Sequence, residues 1–300
     1  MNSIKTPKDN IILVPTDFST ASDNALEHSV GIAELFDNQI MLLYVVEESI
    51  FKSIFGGSME KALMMDTINN KLKEKAAEIQ AKYPGIVVNT MVKEGKVYRQ
   101  IIEVSQNLAC DSVVMGFNGV NGVERFMGST TTRVIKSSSV PVVIIKEIQS
   151  SINYKKIVLP IDLTKESRQK VDWAVHFAKK YGSEIHVITE IEQDEFLMNK
   201  VKASLKQVET ILAKHEVNFV SKILNDQEYP EHFGKDIIQY SEEIDADLIM
   251  IMTQKEAGVS DYLRIGSFAR HIIHNSRKTP VMALSPKEMA ISYRATESFA

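Results

Sequence analysis

The chain contains two copies of one pattern, and that repetition limits its fold more than any single motif does. Ile12-Leu13-Val14-Pro15-Thr16-Asp17-Phe18-Ser19 returns as Ile157-Val158-Leu159-Pro160-Ile161-Asp162-Leu163-Thr164, at an offset of 145 residues. Each copy is an apolar run ending in Pro-x-Asp, followed by a Ser or Thr placed to start a helix. Helical spacing then sets in, through Ala25, Val30, Ala33 and Leu35 in the first copy and Val171, Ala174, Val175 and Ala178 in the second. Further strands are expected at Ile40–Val46 and Ile185–Ile191, at Val87–Val92 and Asn218–Leu224, and at Val113–Met115 and Leu248–Met252. Each copy closes on a last strand, Pro141–Ile145 and Pro280–Leu284. Helices are expected between them at Met59–Lys82 and Glu195–His215, at Val97–Leu108 and Gly234–Glu243, and after Gly128-Ser129 and Gly266-Ser267.

Short β-branched runs that alternate with helices read as buried parallel strands. The pattern predicts an α/β chain of two tandem doubly wound domains, each a five-stranded parallel sheet with helices on both faces. The first domain is placed at residues 1–148, the second at 153–287, and a tail without apolar period at 288–300. The linker Glu147–Tyr154 is polar apart from Ile148 and Ile152. Three hundred residues agree with about two domains. Basic and acidic residues number 15 and 17 through residue 148 and 20 and 22 beyond it, so each half carries −2 and neither is a basic nucleic-acid module. The single cysteine, Cys110, excludes an intramolecular disulfide and fits a reducing compartment. No apolar leader opens the sequence and no run approaches a membrane span, so a cytoplasmic protein is expected.

The stretch Asp111–Ile145 carries the clearest chemistry. Its strand stops at Gly116, Gly119 follows, and Gly128-Ser129 opens the next helix. Glycines let a backbone approach a ligand, and a helix start offers free N–H groups and the positive end of the dipole to an anion. The arrangement describes a phosphate cradle. It is neither a Walker P-loop nor a G-x-G-x-x-G dinucleotide turn.

This stretch resembles the universal stress protein family, whose ATP-binding members carry G-x2-G-x9-G-[ST] at this place. The match is Gly116-x2-Gly119-x8-Gly128-Ser129, one residue short in the second gap. With the internal repeat, the resemblance covers nearly the whole chain as a tandem pair. It implies a strand order of 3-2-1-4-5 in each domain, which sets the ends of strands one and four side by side, where open α/β sheets bind ligands. It also implies an ATP site, with Mg2+ as a companion, formed by Pro15, Thr16, Asp17, Val45, Gly116, Asn118, Gly119, Gly128, Ser129 and Thr130. Asp17 and the backbone about Val45 would hold the adenosine part; the bland role for Asp17 is a helix cap. The family pairs subunits through the last strands, so the two domains are expected to pair there, and a homodimer stays open.

The second copy departs at the same place. Met252-Thr253-Gln254-Lys255 stands where Gly116-Phe117-Asn118-Gly119 stands, and Glu190 replaces Val45. Side chains at both glycine positions should crowd a triphosphate, so at most one nucleotide per chain is expected. Ser49–Met65 reads as a loop and helix start packed on the domain, or else as a hinged lid over the crevice or a Met-rich partner surface. His271 and His274 lack the partners of a metal site. Cys110 reads as a packing residue, and Trp173, on the apolar stripe of a helix, as core. Neither H-x-G-H nor S-G-G-x-D-S occurs, and no general base is evident. Three functions remain: a stress-response regulatory protein that binds an adenine nucleotide, a same-fold interaction protein that binds none, and a slow ATPase.

Overall fold

The computed structural model describes residues 10–47, 58–117, 129–147, 154–162, 165–224, 233–253 and 267–285. Ten strands form in the expected places: β1 (Ile11–Thr16), β2 (Gln39–Val46), β3 (Val88–Glu94), β4 (Ser112–Gly116), β5 (Val142–Ile145), β6 (Lys156–Pro160), β7 (Glu184–Glu190), β8 (Phe219–Leu224), β9 (Leu248–Met252) and β10 (Val281–Leu284). The helices among these residues are α1 (Thr20–Phe36), α2 (Ser58–Lys82), α3 (Val97–Asn107), α4 (Ser129–Ser137), α5 (Lys165–Tyr181), α6 (Glu195–Lys214), α7 (Phe233–Glu243) and α8 (Ser267–Asn275). Sequence-expected boundaries differ from these by one or two residues, as helix and strand ends do.

The strands join into one sheet in the order β3-β2-β1-β4-β5-β10-β9-β6-β7-β8. Each repeat has the 3-2-1-4-5 order with parallel neighbours, such as Ile12 opposite Ile40 and Val113 opposite Val142. The β5–β10 seam is antiparallel, with Val281 opposite Ile144, Met282 opposite Val143 and Ala283 opposite Val142. The backbone toward β4 is engaged at Pro141 and Ile145, whose carbonyls accept from Val113 N and Phe117 N at 2.9 Å. Strand alternation therefore turns the N–H groups of Val142 and Ile144, and not that of Val143, toward β10.

Because strand side chains alternate, one sheet supplies two cores. Ile12, Val14, Val114, Val143, Leu159, Met250 and Met282 point to the face covered by α1, α2, α5 and α6. Leu13, Val113, Met115, Ile144, Val158, Ile249 and Val281 point to the face covered by α3, α4, α7 and α8. Both clusters run through the seam, so each core is shared by the two repeats. Trp173 is half-buried at the margin of the first cluster and not inside it, because α5 turns Val171, Ala174 and Ala178 to the sheet instead.

A second contact between the repeats lies over the first face. Phe36 at the end of α1 meets Tyr181 edge-on at 4.9 Å and Phe177 at 5.8 Å, with the Lys180 ammonium 3.8 Å from its ring centre. Tyr154, which the sequence places in a polar linker, is buried, and its hydroxyl meets His28 Nε2 at 2.6 Å. It lies in the left-handed region at φ 44°, turning the chain into β6. Its ring packs on Phe177 and Tyr181, which is why a tyrosine ends this connection.

Candidate functional site

The C-terminal ends of β1, β2 and β4 meet where the strand order reverses direction, the position at which open α/β sheets bind ligands. β1 delivers Pro15 and Thr16, both half-buried, and then the exposed Asp17. Ser19 caps α1, its hydroxyl accepting from Ser22 N at 3.3 Å. The backbone N–H of the same serine donates to Asp17 Oδ1 at 3.0 Å. The cap is thus Ser19, which leaves Asp17 at the rim as an acceptor. Burial works against ionisation of Asp17, but hydrogen bonds from the Ser19 side chain and backbone and from Ser22 outweigh it. They hold the carboxyl below its ordinary value. Thr16 is occupied internally: its hydroxyl meets Ser22 Oγ at 3.0 Å and accepts from Phe18 N at 3.0 Å.

Val45 is half-buried on the face covered by α3 and α4. Gly116 ends β4, and its absent side chain has a definite cause. A β-carbon there would stand 2.2 Å from the Ala21 carbonyl oxygen and 2.6 Å from Ser22 N. The first turn of α1 rests directly on this glycine. Ser129 opens α4 and Thr130 is half-buried in its first turn. Asn118, Gly119 and Gly128 lie outside the described residues, as do residues 49–57 of the expected lid. On α2, Met64 and Met65 pack on the first core, whereas Met59 and Leu63 are exposed.

Sequence reasoning missed an aromatic rim. Phe18 adopts the left-handed conformation at φ 62° and stacks on Tyr44 at 4.9 Å, with Lys71 Nζ 4.2 Å from its ring centre. Burial, then the Asp17 charge, pushes the Tyr44 hydroxyl above its ordinary pKa. An aromatic residue directly after Pro-x-Asp was the available signal. Phe117 was also missed. It leaves the crevice into the second repeat, meeting His274 of α8 edge-on at 5.5 Å. Lys146 donates to the His274 carbonyl and sits 5.0 Å from the Phe117 ring centre. Cys110 is buried, and burial followed by the Asp111 charge raises its thiol to about 11, so it is a packing residue.

In the second repeat Met252 is buried where the first has Gly116, Glu190 ends β7, and Thr253 donates to the Leu284 carbonyl at 3.1 Å. No group of three or more metal-binding side chains occurs among the described residues. No described helix is long and apolar enough to cross a membrane.

The profile of the Universal stress protein family matches residues 10–146 and again residues 153–285. The chain belongs to the universal stress protein family. One universal stress protein of Methanocaldococcus jannaschii is 34% identical over 158 residues, covering 49% of this chain and 89% of that protein. A second from the same organism is 29% identical over 155 residues, covering 46% and 96%. A crystal structure of a universal stress protein from Archaeoglobus fulgidus covers 92% of this chain and 96% of its own, with a TM-score of 0.74 at 24% identity, and shares its fold.

Proposed function

We propose that the first repeat binds ATP or a related adenine nucleotide, and that its ligand state biases conformation or partner choice in a stress-response regulatory protein. The observation that carries this reading is Asp17, exposed and held ionised at the end of β1 while Ser19 serves as the helix cap. An ionised acceptor at a topological switch point, across from a helix that opens with Ser129, suits ribose or adenine donors on one side and phosphates on the other. In this reading Pro15, Val45 and Gly116 line the crevice, and Asn118, Gly119, Gly128, Ser129 and Thr130 cradle the phosphates, with Mg2+ as counter-ion. The protein acts in the cytoplasm, the β5–β10 seam holds its repeats together in solution, and any ATP hydrolysis is slow. Calorimetry with ATP and Mg2+ tests it: one nucleotide per chain is expected, greatly weakened by Gly128→Val or Asp17→Ala with the fold retained. No heat and no thermal shift at millimolar ATP would refute it.

One finding favours the second reading, an interaction protein that binds no nucleotide. Gly116 is fully accounted for by the approach of α1, so this glycine requires no ligand. Denaturing release of a nucleotide from the purified protein, read by mass spectrometry, separates the two.

A further inference from the structure

A chain of three polar groups runs into the core beneath α7. His186 is buried near the start of β7, with Glu184 two residues before it on the same strand and Tyr240 on the helix. Glu184 Oε1 lies 2.9 Å from His186 Nε2, and the Tyr240 hydroxyl lies 2.8 Å from Nδ1. The first repeat has Gln39, Met41 and Val104 at the corresponding positions of β2 and α3, and there Met41 and Val104 simply pack in the apolar core.

The partners fix where the hydrogens sit. A carboxylate can only accept, so Nε2 carries the imidazole hydrogen and Nδ1 accepts from Tyr240. Burial, then the charges of Glu184 and Glu243, raise the phenol above its ordinary pKa, so it keeps that hydrogen at neutral pH. A proton added to the ring can go only to Nδ1, which turns the acceptor into a donor. The phenol hydrogen then faces another hydrogen, and Tyr240 makes no second hydrogen bond among the described residues. A buried polar group left without its partner costs the full loss of its hydration. The other charges about the ring are Lys156 on β6, Glu243 on α7 and Lys222 on β8, whose ammonium is 4.5 Å from the Tyr240 ring centre. Burial lowers the pKa of His186 and, helped by Lys156, outweighs the charge and hydrogen bond of Glu184.

We propose that Glu184, His186 and Tyr240 form an acid-sensitive latch of the second repeat, in which protonation of His186 reverses its bond with Tyr240 and loosens α7 from the sheet. Phe233 of α7 stacks on Phe268 of α8 at 5.3 Å, so the release reaches that helix as well. The inference is independent of what the first repeat binds. Hydrogen exchange of the full chain between pH 7.5 and 4.5, corrected for the intrinsic effect of pH, tests it, with α3 as the internal control. The folded ring refuses a proton that an opened α7 lets it accept. Protection of α7 relative to α3 is therefore complete above pH 6.5 and lost as pH falls, by at most about tenfold per pH unit. A global loss caused by any other group reaches both helices and leaves the ratio unchanged. His186→Met combined with Tyr240→Phe keeps the buried volume and removes the polar chain, so its ratio should stay constant. Nitrogen-15 spectra at pH 7.5, with the His186 signals identified by their absence from that double variant, should show a protonated Nε2 and an accepting Nδ1. A hydrogen on Nδ1 at pH 7.5, a constant ratio in the wild type, or the same fall in the double variant would each overturn the proposal.

Discussion

A β-carbon placed on Gly116 would collide with the backbone of Ala21 and Ser22, which cannot move without lifting α1. Gly116→Ala should therefore destabilise the fold by about 1–3 kcal/mol or more, the usual scale of overpacking, whether or not a nucleotide is present. Urea unfolding of the ligand-free protein checks this, and unchanged stability would return the glycine to the ligand. A second residue sets a pH dependence. His28 is buried against Tyr154, its Nδ1 has no partner among the described residues, and burial lowers its pKa from 6.5 to about 3. Between those values the unfolded chain takes up a proton that the folded chain refuses. Stability from this group is complete above pH 6.5 and falls as pH drops toward 3, by up to about 1.4 kcal/mol per pH unit. His28→Gln should flatten that slope, read from urea midpoints at pH 7 and pH 4.5. Neither cause was legible in the sequence. A glycine shows only that a side chain is missing, and the helical spacing of α1 does not reveal that His28 meets a tyrosine 126 residues away.

The elements themselves were legible because short apolar runs alternate with helical spacing and do so twice. What the pattern could not give was the direction of individual backbone groups at the seam. Val143 stands opposite Met282 in the middle of the seam, yet the alternation set by Pro141 and Ile145 turns Val142 and Ile144 toward β10. Ile144→Pro is expected to remove a donor across the seam, whereas Ile144→Val, which keeps that donor, should cost only about 0.5–1.5 kcal/mol. Calorimetric unfolding should split into two transitions for the proline variant and stay single for the valine variant. The aromatic contact at the ends of α1 and α5 is the other bridge. Phe36→Ala should cost about 2–4 kcal/mol, slightly less than a fully buried phenylalanine, and a circular-dichroism melt would read the loss.

At the scale of the whole molecule, the seam and two continuous cores make the repeats interdependent. An isolated first repeat would expose the β5 edge, with Val142, Val143, Ile144 and Ile145 all buried in the full chain. Apolar strands with free N–H and C=O groups seek partners. A fragment spanning residues 10–147 is therefore expected to dimerise through β5, as light scattering on a sizing column would show; a monomer would mean that the edge is covered in another way. Among the described residues no further strand pairs with the outer edges of β3 and β8, which carry Lys93 and Lys222, charges of the kind that discourage further growth of the sheet. The antiparallel seam has a geometric consequence. All strands of the first repeat run one way and all strands of the second run the other, so the two crevices open on opposite margins of the molecule. Any partner that docked over one margin would face the crevice of one repeat and not that of the other. Under the proposed function, a nucleotide in the first repeat would therefore be sensed from one side of the sheet alone.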